Sequence, residues 1–299
     1  MTWFYLALLA PFLYAIVNLI DDNLLRNVYR SPHVGTIISG LFGGLPLLSL
    51  FFLDAEPISL RYQILSLIVG VLITAYLYFY FLALDRESPS IVVALLGVSP
   101  VIIGAFAFLV QGERLQASEI VGLGLVLAAS TGLALGGGKE KTHFSKSLTP
   151  ILFGALSICA YSLIAKDVYD HVPFYTAYMW VSAGMMIGGL YFLLVLFHSP
   201  SRYRLTELRK SFRKFFLLFL VTELLGIAAE FTTNLAISKG SVTIISALEG
   251  IQPIYVLLIS LALFPFHAHL FREASEGGLK VKISLMLVII VGLYLVTGV

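Results

Sequence analysis

Three carboxylates stand at depths where a carboxylate is costly. Glu223 and Glu230 lie in the apolar run 215–237, and Glu249 lies in the next one, 242–264. A charged acid at the centre of a membrane helix costs about 2.5–3.5 kcal/mol on insertion scales, so each needs a buried partner or a wet, functional cavity. Glu223, Glu230 and Asn234 recur at spacings of 7 and 4, which puts them on one helix face. Beyond the turn Ser238-Lys239-Gly240-Ser241, the second run carries Glu249, Gln252, Pro253 and Tyr255 around its middle. Acids grouped this way can neutralise a cationic or zwitterionic solute, or exchange a proton. For Glu230 the structural alternative is a buried carboxyl hydrogen-bonded to a neighbouring helix, and Asn234 serves either reading. Glu223 can equally pair with Lys166 or with an interfacial group.

Other polar residues depend on where the helices end. If the first span stops near Ile20, Asp21 and Asp22 are interfacial and Asp22–Arg26 is an i,i+4 pair on a solvated turn. If it runs further, Asn18 and Asp21 face the bundle. Lys166 and Asp167 pair locally or with Asp21 or Asp22. Tyr76 and Tyr80 share a face, with Tyr78 on the far side. An aromatic wall over an acidic floor suits an organic cation, although the same tyrosines also serve packing or an interfacial belt. Pro100 and Pro253 each remove a backbone hydrogen bond in mid-membrane, which can kink a gate or expose carbonyls to a cavity. Gly97, Gly104, Gly122, Gly124, Gly132 and Gly250 permit close helix packing.

The elements that position these residues follow from composition. With 59% hydrophobic and 12% charged residues and a mean hydropathy of +0.95, the 299-residue chain is an all-α integral membrane protein. Ten apolar segments can be counted, at about 3–24, 34–53, 62–84, 89–111, 117–136, 149–169, 174–198, 215–237, 242–264 and 280–298. They must be helical, because lipid offers no partners for backbone groups. The N-terminal segment has neither a basic leader nor a small-residue cleavage site and reads as a transmembrane helix. The single cysteine, Cys159, excludes an intrachain disulfide, and the six histidines never take a metal-ligand spacing. No phosphate-cradling loop or nucleophile–base set survives placement on helices. The expectation is therefore a non-enzyme with no cofactor, no metal and no nucleic-acid partner.

The chain repeats itself. Shifted by 153 residues, LALDRESPSIVVALLGVSP (82–100) lies on LAISKGSVTIISALEGIQP (235–253) with eight identities, including Ser88/Ser241, Gly97/Gly250 and Pro100/Pro253. The organisation expected is a five-helix repeat over 1–136, a linker over 137–148 and a second five-helix repeat over 149–299. An odd number of spans inverts the second half in the membrane. Such inverted repeats belong to secondary transporters and place the site near the midplane. Glu249 and Gln252 replace Leu96 and Ser99, and Glu230 and Asn234 replace Leu77 and Phe81, so substrate chemistry leans on the second half.

Residues 88–135, with Ser99-Pro100 in mid-helix, Gly112-Glu113-Arg114 at the next turn and the Gly-rich helix from Gly122, resemble the signature half of the ten-helix EamA-type drug/metabolite transporters. In the second half Pro265-Phe266-His267 replaces that turn. The resemblance implies a transporter in a prokaryotic cytoplasmic (inner) membrane, with substrates ranging from amino acids and amines to drugs and nucleotide-sugars. It also implies both termini inside. Basic residues point the other way: the connectors after odd-numbered spans hold 15 Lys and Arg and the others 4, which places the termini outside.

The function expected is secondary-active transport, by export or exchange, of a small polar cationic or zwitterionic metabolite, with proton coupling and contact with membrane lipid as companions. The alternatives are a lipid-linked translocase and a non-transporting membrane subunit whose buried acids are structural.

Overall fold

The protein is described by a computed structural model, which covers residues 2–29, 31–87, 89–112, 114–136, 144–198, 203–267 and 279–298. Every regular element among them is helical. In chain order these are α1 (Thr2–Leu24, continued by a π-helical turn Leu25–Tyr29), α2 (Pro32–Phe42, followed by a 3₁₀ segment Leu45–Phe51), α3 (Leu60–Leu84), α4 (Pro89–Leu96) and α5 (Ser99–Phe106). There follow α6 (Ala117–Gly136), α7 (Phe144–His171), α8 (Phe174–His198), α9 (Tyr203–Ile237), α10 (Val242–Glu249), α11 (Gln252–His267) and α12 (Leu279–Thr297).

Seven helical stretches among the described residues are long and apolar enough to cross a membrane: Trp3–Tyr29, Pro32–Phe51, Leu60–Leu84, Ser147–His171, Phe174–His198, Phe215–Ile237 and Val242–Ala262. Three shorter apolar helices, Ser99–Leu109, Ala117–Gly132 and Ile283–Thr297, lie within the fourth, fifth and tenth segments of the sequence reading. Leucine, valine and phenylalanine side chains such as Phe12, Leu190, Leu194, Leu217, Leu224 and Val291 are exposed on the outside of the bundle, as lipid-facing residues should be. Part of the expected linker, 137–143, lies outside the described residues. α7 already begins at Phe144, where the sequence reading has linker to 148, and the buried Ser147 hydroxyl lies 3.4 Å from Glu87 Oε1 as its donor.

Two of the expected spans are broken in the same way. The first break falls at Gly97-Val98, where the backbone N–H groups of Gly97 and Val98 donate to Val93 and Leu95. Pro100 has no N–H to offer the Leu96 carbonyl, and the Ser99 hydroxyl takes that place at 2.7 Å. The second break falls at Gly250-Ile251, whose N–H groups donate to Ala247 and Leu248. α10 before it is capped by Ser241, whose hydroxyl accepts from the Ile244 N–H at 3.2 Å. Gly112 ends the π-helical turn after α5 at φ 69°, a left-handed backbone that explains glycine at the head of Gly112-Glu113-Arg114.

The main interhelical contacts join the first part of the chain to the second. α1 packs on α9, α2 on α8, α3 on α7 and α8, and α6 on α12. α4 packs on α11 and α5 on α10, so the two broken spans cross with their breaks together. Small residues set these distances. A Cβ on Gly70 would stand 2.0 Å from the Val181 carbonyl oxygen, and one on Gly122 would stand 2.5 Å from that of Gly292.

Candidate functional site

α1 contributes Tyr14, Asn18 and Asp21, at spacings of 4 and 3 and hence on one face. α3 contributes Tyr76 and Tyr80, and α9 contributes Glu223, Gly226 and Glu230 on the same principle. These residues meet, with Ser39 of α2 and Tyr178 of α8, around a cavity of about 60 Å³. Asn18, Asp21, Glu223 and Glu230 are all buried. α1 continues past Ile20, so Asn18 and Asp21 face the bundle, while Asp22 turns outward to Arg26 at 2.6 Å.

Each acid in this first cavity has a defined partner. Tyr14 donates its hydroxyl to Glu230 Oε2 at 2.6 Å, and Asn234 Nδ2 donates to Glu230 Oε1, also at 2.6 Å. Tyr169 in turn donates to Asn234 Oδ1 at 2.7 Å. Ser39 donates to Glu223 Oε1 at 2.9 Å, and Tyr80 donates to Asn18 Oδ1 at 3.0 Å with Asp21 Oδ2 at 3.5 Å. Asn234 is wholly buried and orients Glu230 from behind without lining the cavity.

A second cavity, of about 50 Å³, lies where the two broken spans cross. It is lined by Val93, Leu96, Gly97, Ser99 and Pro100 from the first break and by Ser246, Glu249, Gly250, Gln252 and Pro253 from the second. Every one of these ten residues has its partner in the other set at the 153-residue shift. Tyr14, Tyr76, Ser130, Ile158 and Tyr161 complete the lining. Tyr14 and Tyr76 border both cavities and form the wall between them. Glu249 is held loosely: Thr233 Oγ1 lies 3.4 Å from its Oε1. No lysine or arginine is among the described lining residues of either cavity.

The structure thus brings together Asn18, Asp21, Tyr76, Tyr80, Glu223 and Glu230 at one cavity and Glu249, Gln252, Pro100 and Pro253 at the other. It leaves Tyr255 outside both, edge-on to the half-exposed ring of Phe12 with ring centres 5.5 Å apart. Tyr78 is on the far side of α3, stacked on Phe192. Lys166 pairs within its own helix, with Asp170 at 2.7 Å, and Asp167 lies 4.0 Å from Arg61. These groups line a wide cleft of about 860 Å³ where the start of α3, the end of α7 and the α9–α10 turn meet. Sequence reasoning missed Tyr14, Ser39, Ser130, Tyr161 and Tyr178. Tyr14 carried a usable signal, since it shares the helical stripe of Asn18 and Asp21.

The fold and its acid-lined interior define a helical membrane protein with small polar cavities inside the bundle. Residues 1–135, a stretch that includes 88–135, match the model of the EamA-like transporter family. That family consists of membrane transporters rather than enzymes. Over the whole chain the fold is similar to a solved structure titled only "Crystal structure of protein", with a TM-score of 0.71 and 18% identity over 99% of this chain and 97% of that one. Comparison with curated proteins gives no match.

Proposed function

We propose that this protein is a secondary-active carrier of a small polar metabolite, cationic or zwitterionic like an amine or amino acid, working as an exporter or exchanger. In this reading ten spans form two inverted five-helix halves, which alternate access to a site between them, with both termini outside a prokaryotic cytoplasmic membrane. The observation that carries it is the second cavity: five residue pairs matched at the 153-residue shift line one space at the crossing of two broken spans. Discontinuous helices meeting at a repeat interface are where carriers bind their cargo. The buried acids, with no basic residue among the described lining, support a cation-binding role and disfavour a purely anionic solute. Glu230, linked to Tyr14 on the dividing wall, is the group placed to exchange a proton or to sense cargo next door.

The test is counterflow in vesicles. Purified protein is reconstituted with unlabelled amine or amino acid inside, and uptake of the labelled compound is followed. Uptake by the wild type, lost in Glu249→Gln and Glu230→Gln while both remain folded, is the expected result. Failure of every amine and amino acid to move overturns the reading.

A further inference from the structure

We propose that the second cavity is a site for a primary ammonium group, ligated by Glu249, Gln252 and a residue outside the sequence expectations, Ser130. This deepens the carrier reading and rests on it.

Ser130, on α6, is fully buried, lines the cavity, and its hydroxyl has no hydrogen-bond partner. Buried hydroxyls are nearly always paired, and an unpaired one carries a desolvation penalty. The buried hydroxyls of Tyr29, Ser66, Ser182 and Ser260 also lack partners, but none of them lines either cavity. Ser99 and Ser246 line the same cavity as Ser130 but spend their hydroxyls on their own helices, donating to Leu96 O at 2.7 Å and Thr243 O at 2.9 Å. The Gln252 side chain makes no hydrogen bond to any described residue, although the matched Ser99 does. Glu249 has only the 3.4 Å contact with Thr233. Three polar side chains with unmet hydrogen-bonding capacity therefore border one small space. Glu230 differs, since both of its oxygens accept bonds of 2.6 Å.

The chemistry that answers this set is a cation rich in donors. Glu249 supplies negative charge and accepting oxygens, Gln252 an amide oxygen and Ser130 a hydroxyl oxygen, and an –NH₃⁺ group has three N–H donors for three acceptors. Tyr76 and Tyr161 provide aromatic walls. A quaternary ammonium would find the same charge and the same rings but has no N–H to give. It would leave Ser130 and Gln252 unpaired. The site therefore selects for N–H donors rather than for charge alone.

The experiment uses the full-length protein in detergent, titrated calorimetrically with ethylamine, ammonium chloride and tetramethylammonium chloride at matched ionic strength. Ethylamine binding with tetramethylammonium silent is the expected result. Ammonium binding as tightly as ethylamine would identify the inorganic ion as sufficient; weaker binding would show that the carbon chain contributes, and both agree with the site. Ser130→Ala removes an unpaired hydroxyl, so its melting temperature should equal or exceed that of the wild type, while ethylamine binding weakens about tenfold, as loss of a hydrogen bond to a charged group implies. Unchanged affinity in Ser130→Ala, no ethylamine binding at all, or equal binding of tetramethylammonium overturns the proposal. So does a lower melting temperature with affinity intact, which would mean that Ser130 serves the fold. Vesicle uptake separates the two readings. Amine uptake with selectivity unaltered by Ser130→Ala sinks this site and leaves the carrier standing, whereas ethylamine binding without uptake of any solute sinks the carrier alone.

Discussion

The hydroxyl of Tyr14 donates to Glu230 Oε2 at 2.6 Å, across 216 positions of sequence, and Tyr14 borders both cavities. The bond ties α1 to α9 and sits in the wall between the two spaces. Behind Glu230 the line continues through Asn234 to Tyr169 on α7, so three helices share one polar chain. Tyr14→Phe takes a donor from a buried carboxylate and should cost about 1–3 kcal/mol. The outcome expected is a lower melting temperature, with a smaller further effect when Glu230→Gln is added, because the two substitutions break the same bond. Full additivity in that double-mutant cycle would show the residues to be uncoupled.

Glu230 and Glu249 should respond differently to the same substitution. In Glu230→Gln the new amide must place its NH₂ group toward Tyr14, whose hydroxyl can accept, because Asn234 Nδ2 can only donate. A charge-assisted pair becomes a neutral one, at about 1 kcal/mol. Glu249 has only the 3.4 Å contact to lose, so Glu249→Gln should leave the melting temperature nearly unchanged. Both should abolish counterflow. A Glu249→Gln protein that melts well below the Glu230→Gln one would make Glu249 the structural acid of the two.

Depth and helical period made much of this legible. Acids placed mid-span with a period of 3.6 brought Glu223 and Glu230 to one cavity with Asn18, Asp21, Tyr76 and Tyr80. The repeat located both helix breaks, because Gly and Pro recur at matched positions. The division into two cavities was not legible. It depends on Tyr14 and Tyr76 standing between the acids, and packing across helices α1, α3 and α9 decides that. Asn234 shares a face with Glu230 yet spends its amide on it, a choice that spacing cannot reveal. Tyr255 lies one turn beyond Gln252, but its ring meets Phe12 instead. Ser130 sits in the small-residue stretch Ala128-Ala129-Ser130-Thr131-Gly132, where a serine looks like a packing residue; its place in the cavity lining together with its missing partner marks it out.

Gly70 and Gly184 make the α3–α8 crossing. A Cβ on Gly70 would stand 2.0 Å from Val181 O, and one on Gly184 would stand 2.3 Å from Leu67 O. Both obstacles are backbone, which no rotamer change can move. Gly70→Ala should therefore push the helices apart and cost about 1–3 kcal/mol or more as an overpacked contact, despite alanine's better helix propensity. The expected reading is a sharp loss of monodisperse protein and of melting temperature. A Gly70→Ala protein as stable as the wild type would show that α3 and α8 do not approach this closely.

Gly226 offers the opposite experiment at the first cavity. It lies between Glu223 and Glu230 on α9 and lines the cavity, and a Cβ built on it meets nothing within 4 Å. Gly226→Ala should be tolerated and should stabilise the protein by about 0.5–1 kcal/mol, since glycine is a poor residue in a helix interior. Gly226→Leu extends a larger side chain into a space of about 60 Å³ next to Glu230. If cargo or its coupling ion must occupy that space, counterflow should fall steeply in Gly226→Leu and hardly at all in Gly226→Ala, with both proteins folded. Ethylamine binding at the second cavity should survive in both, because Gly226 does not line it. Normal counterflow in a well-folded Gly226→Leu protein would remove the first cavity from the transport path and leave its acids to hold α1, α2, α3 and α9 together.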